Sequence, residues 1–486
     1  MIVGAGFGGL GMGVRLLQEG ERDFAILERA PDVGGTWRDN TYPGCQCDVA
    51  SNVYSFSFAE NPTWSRSYAP QKEIWEYLRN VADRFGVRPF IRFHTELRAA
   101  RWDGAAQLWR IETNHGSFTA DVIVSGHGGL SAPSMPDIPG IERFKGTVFH
   151  SASWNHEHDL AGERVGVIGT GASAIQIVPA IQPRVRELHL FQRTAPWIVP
   201  RIDSAVSERR KLLFKLLPAA QKVDRLRLYL ARELVVLAMH GNSTIRKGIE
   251  RFATMHLAAQ VQDPVLREKL TPTYAIGCKR ILISNDYYPA LTQPNVRVVT
   301  DGIAEVRENG ILTKDGKFHE LDTIVLATGF RVTNHPIMET ITGREGRTMA
   351  ETWANGASAY LGTTVSGFPN LFLLTGPNTG IGHNSIVFML ESQFEYVLGA
   401  LRALRERGAR ALDVRADAQA AFSAEMQRGL KGTVWNSGCA SWYLDAEGRN
   451  TTVWPTFTWR FRNRTRRFDA SAYAFEQAAV ATGSPG

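Results

Sequence analysis

The sequence predicts an α/β fold with two Rossmann-like dinucleotide-binding domains, the second carrying a helical insertion. Short apolar runs alternate with helix-like stretches along most of the chain, the pattern of a parallel sheet flanked by helices. Two of these runs open onto glycine-rich turns, Gly4-Ala5-Gly6-Phe7-Gly8-Gly9 and Gly169-Thr170-Gly171-Ala172-Ser173-Ala174. At the same distance beyond each turn stands a charge, Glu28 after the first and Arg193 after the second.

The turns have a mechanical basis. The first glycine allows a tight turn, the second lets backbone amides approach a pyrophosphate, and the third packs helix on strand. The helix N-terminus adds its partial positive charge. Gly4, Gly6 and Gly9 fill these positions in the first copy. Gly169, Gly171 and Ala174 fill them in the second, with Thr170 and Ser173 in the same loop, and the alanine suits a unit that binds NADP. A carboxylate at the position of Glu28 accepts hydrogen bonds from a ribose diol, whereas an arginine at the position of Arg193 pairs with a ribose 2′-phosphate. Two dinucleotides are expected, one phosphorylated like NADP, and hence a redox enzyme.

Taken in order, Ile2-Val3 forms the tail of a first strand, residues 10–18 a helix, and 24–27 a second strand ending at Glu28. So few residues precede Gly4 that the natural start is expected upstream, with no signal peptide before the first turn. Further strands are expected at 122–124, 165–168, 188–191 and 323–327, the last running into Ala327-Thr328-Gly329, a small-residue strand end of the kind that closes a nucleotide crevice. Pro133, Pro136 and Pro139 space out a rigid connector, and residues 206–267 form a charge-rich helical insertion. The expected division is 1–140 for the first domain and 141–330 for the second. Residues 331–486 return to the first domain and end in an aromatic-rich segment.

Composition narrows the class. With 486 residues, 44% hydrophobic and 21% charged, the chain has room for two or three well-cored domains. A net charge of +7 without a basic motif speaks against nucleic acid and is accounted for by anionic cofactors and substrates. The apolar run 226–239 is broken by Arg227, Arg232 and Glu233 and is too short to span a bilayer. Four cysteines are too few to staple a chain of this size, so a reducing, cytoplasmic setting is expected. Cys45 and Cys47, one residue apart, match neither a zinc-ligand pair nor a C-x-x-C redox pair, and no metal is expected.

Gly34-Gly35-Thr36-Trp37 places small residues where a flavin ring or pyrophosphate would press on the backbone. Beyond it, Phe144-x-Gly146-x-x-x-His150-x-x-x-Trp154 lies just before the second glycine turn, and Gly35-x-Trp37-x-x-x-x-Tyr42-Pro43-Gly44-x-x-x-Asp48 follows the first. With Gly277-Cys278-Lys279-Arg280, Gly376-Pro377-Asn378 and Ser441-Trp442-Tyr443, these motifs resemble those of type I Baeyer–Villiger monooxygenases over nearly the whole chain. Two positions depart from the family pattern: Asn155 follows the signature tryptophan, and Ser125-Gly126-His127 replaces an alanine–threonine–glycine strand end.

The resemblance implies bound FAD, reduction by NADPH, and dioxygen captured as a flavin peroxide that attacks a small-molecule ketone to give an ester or lactone. It implies that Arg280 is the active-site arginine, since a guanidinium stays charged and offers forked donors to a developing oxyanion. Asp48 is implied as its partner. Gly35, Thr36, Trp37 and Tyr54 are implied as flavin contacts, and Lys279, Arg193 and Thr194 as a clamp on the 2′-phosphate. Trp442 is implied to fold over NADP, His150 and Trp154 to tie the connector to the nucleotide domains, and Gly380–Ser385 to begin a helix aimed at the flavin. Two alternatives stand beside this reading. A heteroatom monooxygenase oxidising amines or sulfides would not need Asp48 and Arg280, and a catalytically weak redox sensor would be expected to lack one of them.

Overall fold

The structure, a computed structural model, describes residues 1–477 except Asn242, Ala440 and Ala446. Two five-stranded parallel sheets organise it. The first runs in the order Leu371–Leu373, Ile123–Ser125, Ile2–Val3, Ile26–Leu27 and Ile91–Arg92. The second runs Val296–Val299, Glu187–Phe191, Arg164–Ile168, Thr323–Leu326 and Thr147–His150. Leu371–Leu373 pairs in parallel with Ile123–Ser125, so the chain rejoins the first sheet after building the second. The inner strands are buried apolar runs, as parallel strands covered on both faces must be.

The helix expected over 10–18 begins earlier, at Phe7. Gly6 is the last extended residue of the turn, and Gly9 already lies in the helix. A Cβ on Gly9 would stand 1.7 Å from the Gly4 carbonyl oxygen, so only glycine fits. The helix then packs on Ile386–Arg407, where Gly11 lies so close that an added Cβ would meet the Phe394 ring at 2.5 Å. Phe394 and Phe56 are fully buried there, each contributing on the order of 2–3 kcal/mol through burial.

The insertion is helical, with Glu208–Leu216, Pro218–Glu233, Val235–Met239, Ser243–Gln260 and Pro264–Lys269. Sequence reading did not foresee the antiparallel meander Leu97–Asp103, Leu108–Thr113 and Gly116–Ala120, to which Ile341–Thr342 adds a parallel edge. It also did not foresee a disulfide. Cys278 bonds Cys439, 161 positions away, with Cα atoms 6.3 Å apart, while Cys45 and Cys47 remain thiols. Tertiary folding brings the turn after the insertion against the C-terminal loop, and cysteine spacing carries no trace of that approach. No described helix is long and apolar enough to cross a membrane.

Candidate active site

The first glycine turn is built as a cradle. A Cβ on Gly4 would meet the Gly126 carbonyl oxygen at 2.8 Å, and one on Gly35 would meet the Gly6 Cα at 3.1 Å. The helix Phe7–Gln18 starts at Gly6 with no side-chain cap, which directs its first amides toward the turn. Glu28 is buried at the edge of this turn, its Oε2 accepting from the Ala5 N–H at 2.9 Å and its Oε1 from Ala30 at 3.0 Å. Arg38, which sequence reading passed over, pairs with Glu28 at 3.0 Å. Gly35 precedes the short helix Thr36–Asp39, and the Trp37 indole donates to the Tyr54 hydroxyl at 3.1 Å. The departure at Ser125-Gly126-His127 keeps a glycine where the turn needs one. The Ser125 hydroxyl bonds His127 Nδ1 at 2.8 Å, and burial, with His335 beside it, pushes the His127 pKa down to about 3.

The second turn repeats the plan. A Cβ on Gly169 would stand 2.4 Å from the Ala327 carbonyl oxygen, so the strand end at Ala327 closes this crevice as Gly126 closes the other. A Cβ on Gly171 would meet nothing within 4 Å, leaving open space above the turn. Ala174 is fully buried at the start of the helix Ala174–Ile181, and Ser173 precedes it without capping it. The Thr170 hydroxyl donates to the Thr194 carbonyl at 3.0 Å. Arg193 is exposed, and Lys279 comes near it: burial, then the Arg193 charge, lowers the Lys279 pKa. The Lys279 ammonium sits 4.9 Å from the Tyr274 ring centre. Two cations and the open turn fit a phosphorylated dinucleotide.

Between the turns lies the ion pair. Arg280 donates from Nε and a terminal nitrogen to the two oxygens of Asp48, both at 2.8 Å, a bidentate fork joining the first-domain loop to the turn that precedes the strand Leu282–Ile283. Burial alone would raise the Asp48 pKa, but the Arg280 charge and its hydrogen bonds outweigh burial and hold the carboxyl below its usual range. The Asp48 charge in turn raises Arg280, so the guanidinium is fully protonated across the biological pH range. Tyr443, buried, contributes to the field around Arg280.

Tyr42, Gly44 and Gln46 dock this loop on the second domain through Gln176. The Gln176 amide donates to the Gln46 carbonyl at 3.0 Å, and its oxygen accepts from the Tyr42 hydroxyl at 3.1 Å. Gly44, at φ +79°, leaves no room for a Cβ, which would meet the Gln176 carbonyl at 2.6 Å. Sequence reading missed Gln176, and also Arg201 and Arg232. Arg201 donates to the Cys47 carbonyl at 3.1 Å, and Arg232 donates to Tyr68, adding its charge to Asp48. No spacing in the chain marks these residues, because their partners come from distant segments.

His150 is buried in the strand that pairs with Thr323–Leu326; its Nδ1 accepts from the Ala152 N–H at 3.0 Å, and its ring meets Phe330 edge-on. Trp154 packs edge-on against Phe149 of the same strand. Trp442 lies against Tyr443 and is 47% exposed. A helix, Ile386–Arg407, does follow residues 380–385, and Ser385 caps it through the Val387 N–H at 3.3 Å. Burial pushes the unpaired Cys45 thiol up to about 12, which removes it from redox chemistry at neutral pH.

The model for flavin-binding monooxygenase-like proteins matches residues 1–347. A Baeyer–Villiger monooxygenase of Streptomyces coelicolor is 52% identical over 482 residues, 99% of this chain and 93% of that protein. One from Pseudomonas aeruginosa is 50% identical over 476 residues, 97% and 90% of the two chains. Among solved structures, an oxidised steroid monooxygenase bound to NADP superposes with a TM-score of 0.86 at 32% identity, covering 98% of this chain and 99% of that one. A closed cyclohexanone monooxygenase gives 0.88 at 28% identity, covering 98% of each. With two nucleotide cradles, opposite charges beyond them and an arginine–aspartate fork between, the chain belongs to the flavin-binding monooxygenase-like family and, within it, to the Baeyer–Villiger monooxygenases.

Proposed function

We propose that this chain is an NADPH- and O2-dependent FAD monooxygenase that inserts one oxygen atom beside a ketone carbonyl, giving an ester or lactone. The observation that carries the reading is the Asp48–Arg280 fork, a charge pair that insertion beside a carbonyl requires. Bound FAD, reduced by NADPH, supplies the activated oxygen.

The protein holds the partners in place. Residues 1–140 and 331–486 form the FAD side, where Gly4, Gly6 and Gly9 seat the pyrophosphate, Glu28 binds the ribose, and Gly35, Thr36, Trp37 and Tyr54 line the ring. Residues 141–330 form the NADP side, where Gly169, Thr170, Gly171, Ser173 and Ala174 seat the pyrophosphate. Arg193, Thr194 and Lys279 bind the 2′-phosphate, which NADH lacks. Arg280 donates hydrogen bonds to the oxygen that gains negative charge as the ketone is attacked, and being permanently protonated it needs no proton from solvent. Asp48 fixes the direction of those donors. Trp442 folds over bound NADP and excludes water.

Arg280→Ala tests it. The variant keeps its FAD and still consumes NADPH, while ester formation from a good ketone drops by about 10²–10³-fold or more. Ester production near the wild-type rate, measured by product mass, would show that the fork is not catalytic.

A further inference from the structure

The helix Pro218–Glu233 carries a second apolar face, turned outward. Surface helices turn apolar side chains inward and polar ones to water. Here Leu228 and Tyr229 pack inward on the core, and the rest of the inward face is polar: Gln221 donates to the Asn61 carbonyl at 2.8 Å, Arg225 donates to the Asn52 and Ser55 carbonyls at 2.6 and 2.9 Å, and Arg232 donates to Tyr68. Glu233, buried, accepts from the Asn384 side chain at 2.6 Å and the Thr458 N–H at 2.8 Å. The outward face carries Val223, Leu226, Leu230 and Leu234, 67%, 55%, 52% and 61% exposed, at helical spacing. The preceding helix Glu208–Leu216 continues the patch with Leu212, Leu213 and Leu216. An apolar stripe this long, on a helix anchored by its polar side, is built to meet something.

Charge indicates what it meets. Between residues 208 and 239 eight Lys or Arg stand against three Asp or Glu, a net +5 of the chain's +7, and one of the three acids is the buried Glu233. Lys215, Lys222 and Arg227 are exposed on the same two helices as the leucines. A second copy docked face to face would set these cations against each other, whereas an anionic lipid surface pairs with them and takes up the apolar stripe at its acyl boundary. No described helix is long and apolar enough to cross the bilayer, so the contact is interfacial. We propose that the helices Glu208–Leu216 and Pro218–Glu233 form a docking face for an anionic membrane surface.

The test is flotation of the full-length, flavin-loaded protein with phosphatidylglycerol–phosphatidylcholine vesicles and with phosphatidylcholine vesicles. The wild type is expected to float with the anionic vesicles, far less with the neutral ones, and to be released by high salt. Leu226→Glu/Leu230→Glu is expected to lose anionic-vesicle binding by about tenfold or more while keeping its flavin and its turnover of a soluble ketone. If that variant loses flavin, Lys215→Glu/Lys222→Glu/Arg227→Glu replaces it and is expected to lose the same binding. The proposal is overturned if the wild type floats with neither vesicle, if a flavin-loaded variant floats like the wild type, or if light scattering shows a wild-type dimer that becomes monomeric in Leu226→Glu/Leu230→Glu.

Discussion

Arg280 and Asp48 each set the other's ionisation, which makes their pairing measurable by pH. The Asp48 pKa is depressed in the folded chain. Its stabilising contribution is therefore fully present above the unfolded carboxylate value of about 3.9 and is lost as pH falls through the lower folded value. Asp48→Asn should flatten the acid limb of the stability–pH profile, followed by urea midpoints, and reduce ester formation by about a hundredfold through misdirected Arg280 donors. An unchanged acid limb would mean that the pair does not persist in solution. Arg193→Ala should raise the KM for NADPH about tenfold or more with little change for NADH, since one charge-assisted contact is lost; equal losses for both would separate Arg193 from the 2′-phosphate. The charged residues of the site were legible because each stands at a fixed position in a motif. Arg38, Gln176, Arg201 and Arg232 were not, since their roles come from contacts with segments far away in the chain.

At the scale of elements, the two glycine turns use the same geometry with different tolerance. Gly9 has no space for a methyl, whereas Ala174 occupies the matching place in the second turn. Gly9→Ala should therefore give protein without bound flavin, read from the flavin-to-protein absorbance ratio. Ala174→Gly should cost only about 0.5–1 kcal/mol in stability and keep NADPH turnover. A flavin-loaded Gly9→Ala would contradict the packing described. Strands and helices around the turns were legible from apolar runs and glycine placement. The helix start at Phe7 was misread because glycines signal turn and helix start alike. The meander beginning at Leu97 was missed because its strands lie outside the strand–helix alternation that guided the reading.

Across the whole molecule, the site exists only where distant segments meet. Asp48 comes from the first domain and Arg280 from beyond the insertion, while Cys439 is covalently tied to Cys278, two positions before Arg280. The return of the chain to the first domain after Gly329 was legible, but not the strand at residues 371–373 that makes it, nor the disulfide or the outward-facing leucines, which depend on surfaces that sequence patterns do not orient. The central claim is that this assembly places one oxygen atom from O2 beside a ketone carbonyl. The most direct measurement is turnover of a ketone panel with NADPH under ¹⁸O₂, followed by product mass. An ester or lactone carrying one heavy oxygen is the predicted product; heavy oxygen found only in sulfide or amine products, with every ketone returned intact, would contradict the account.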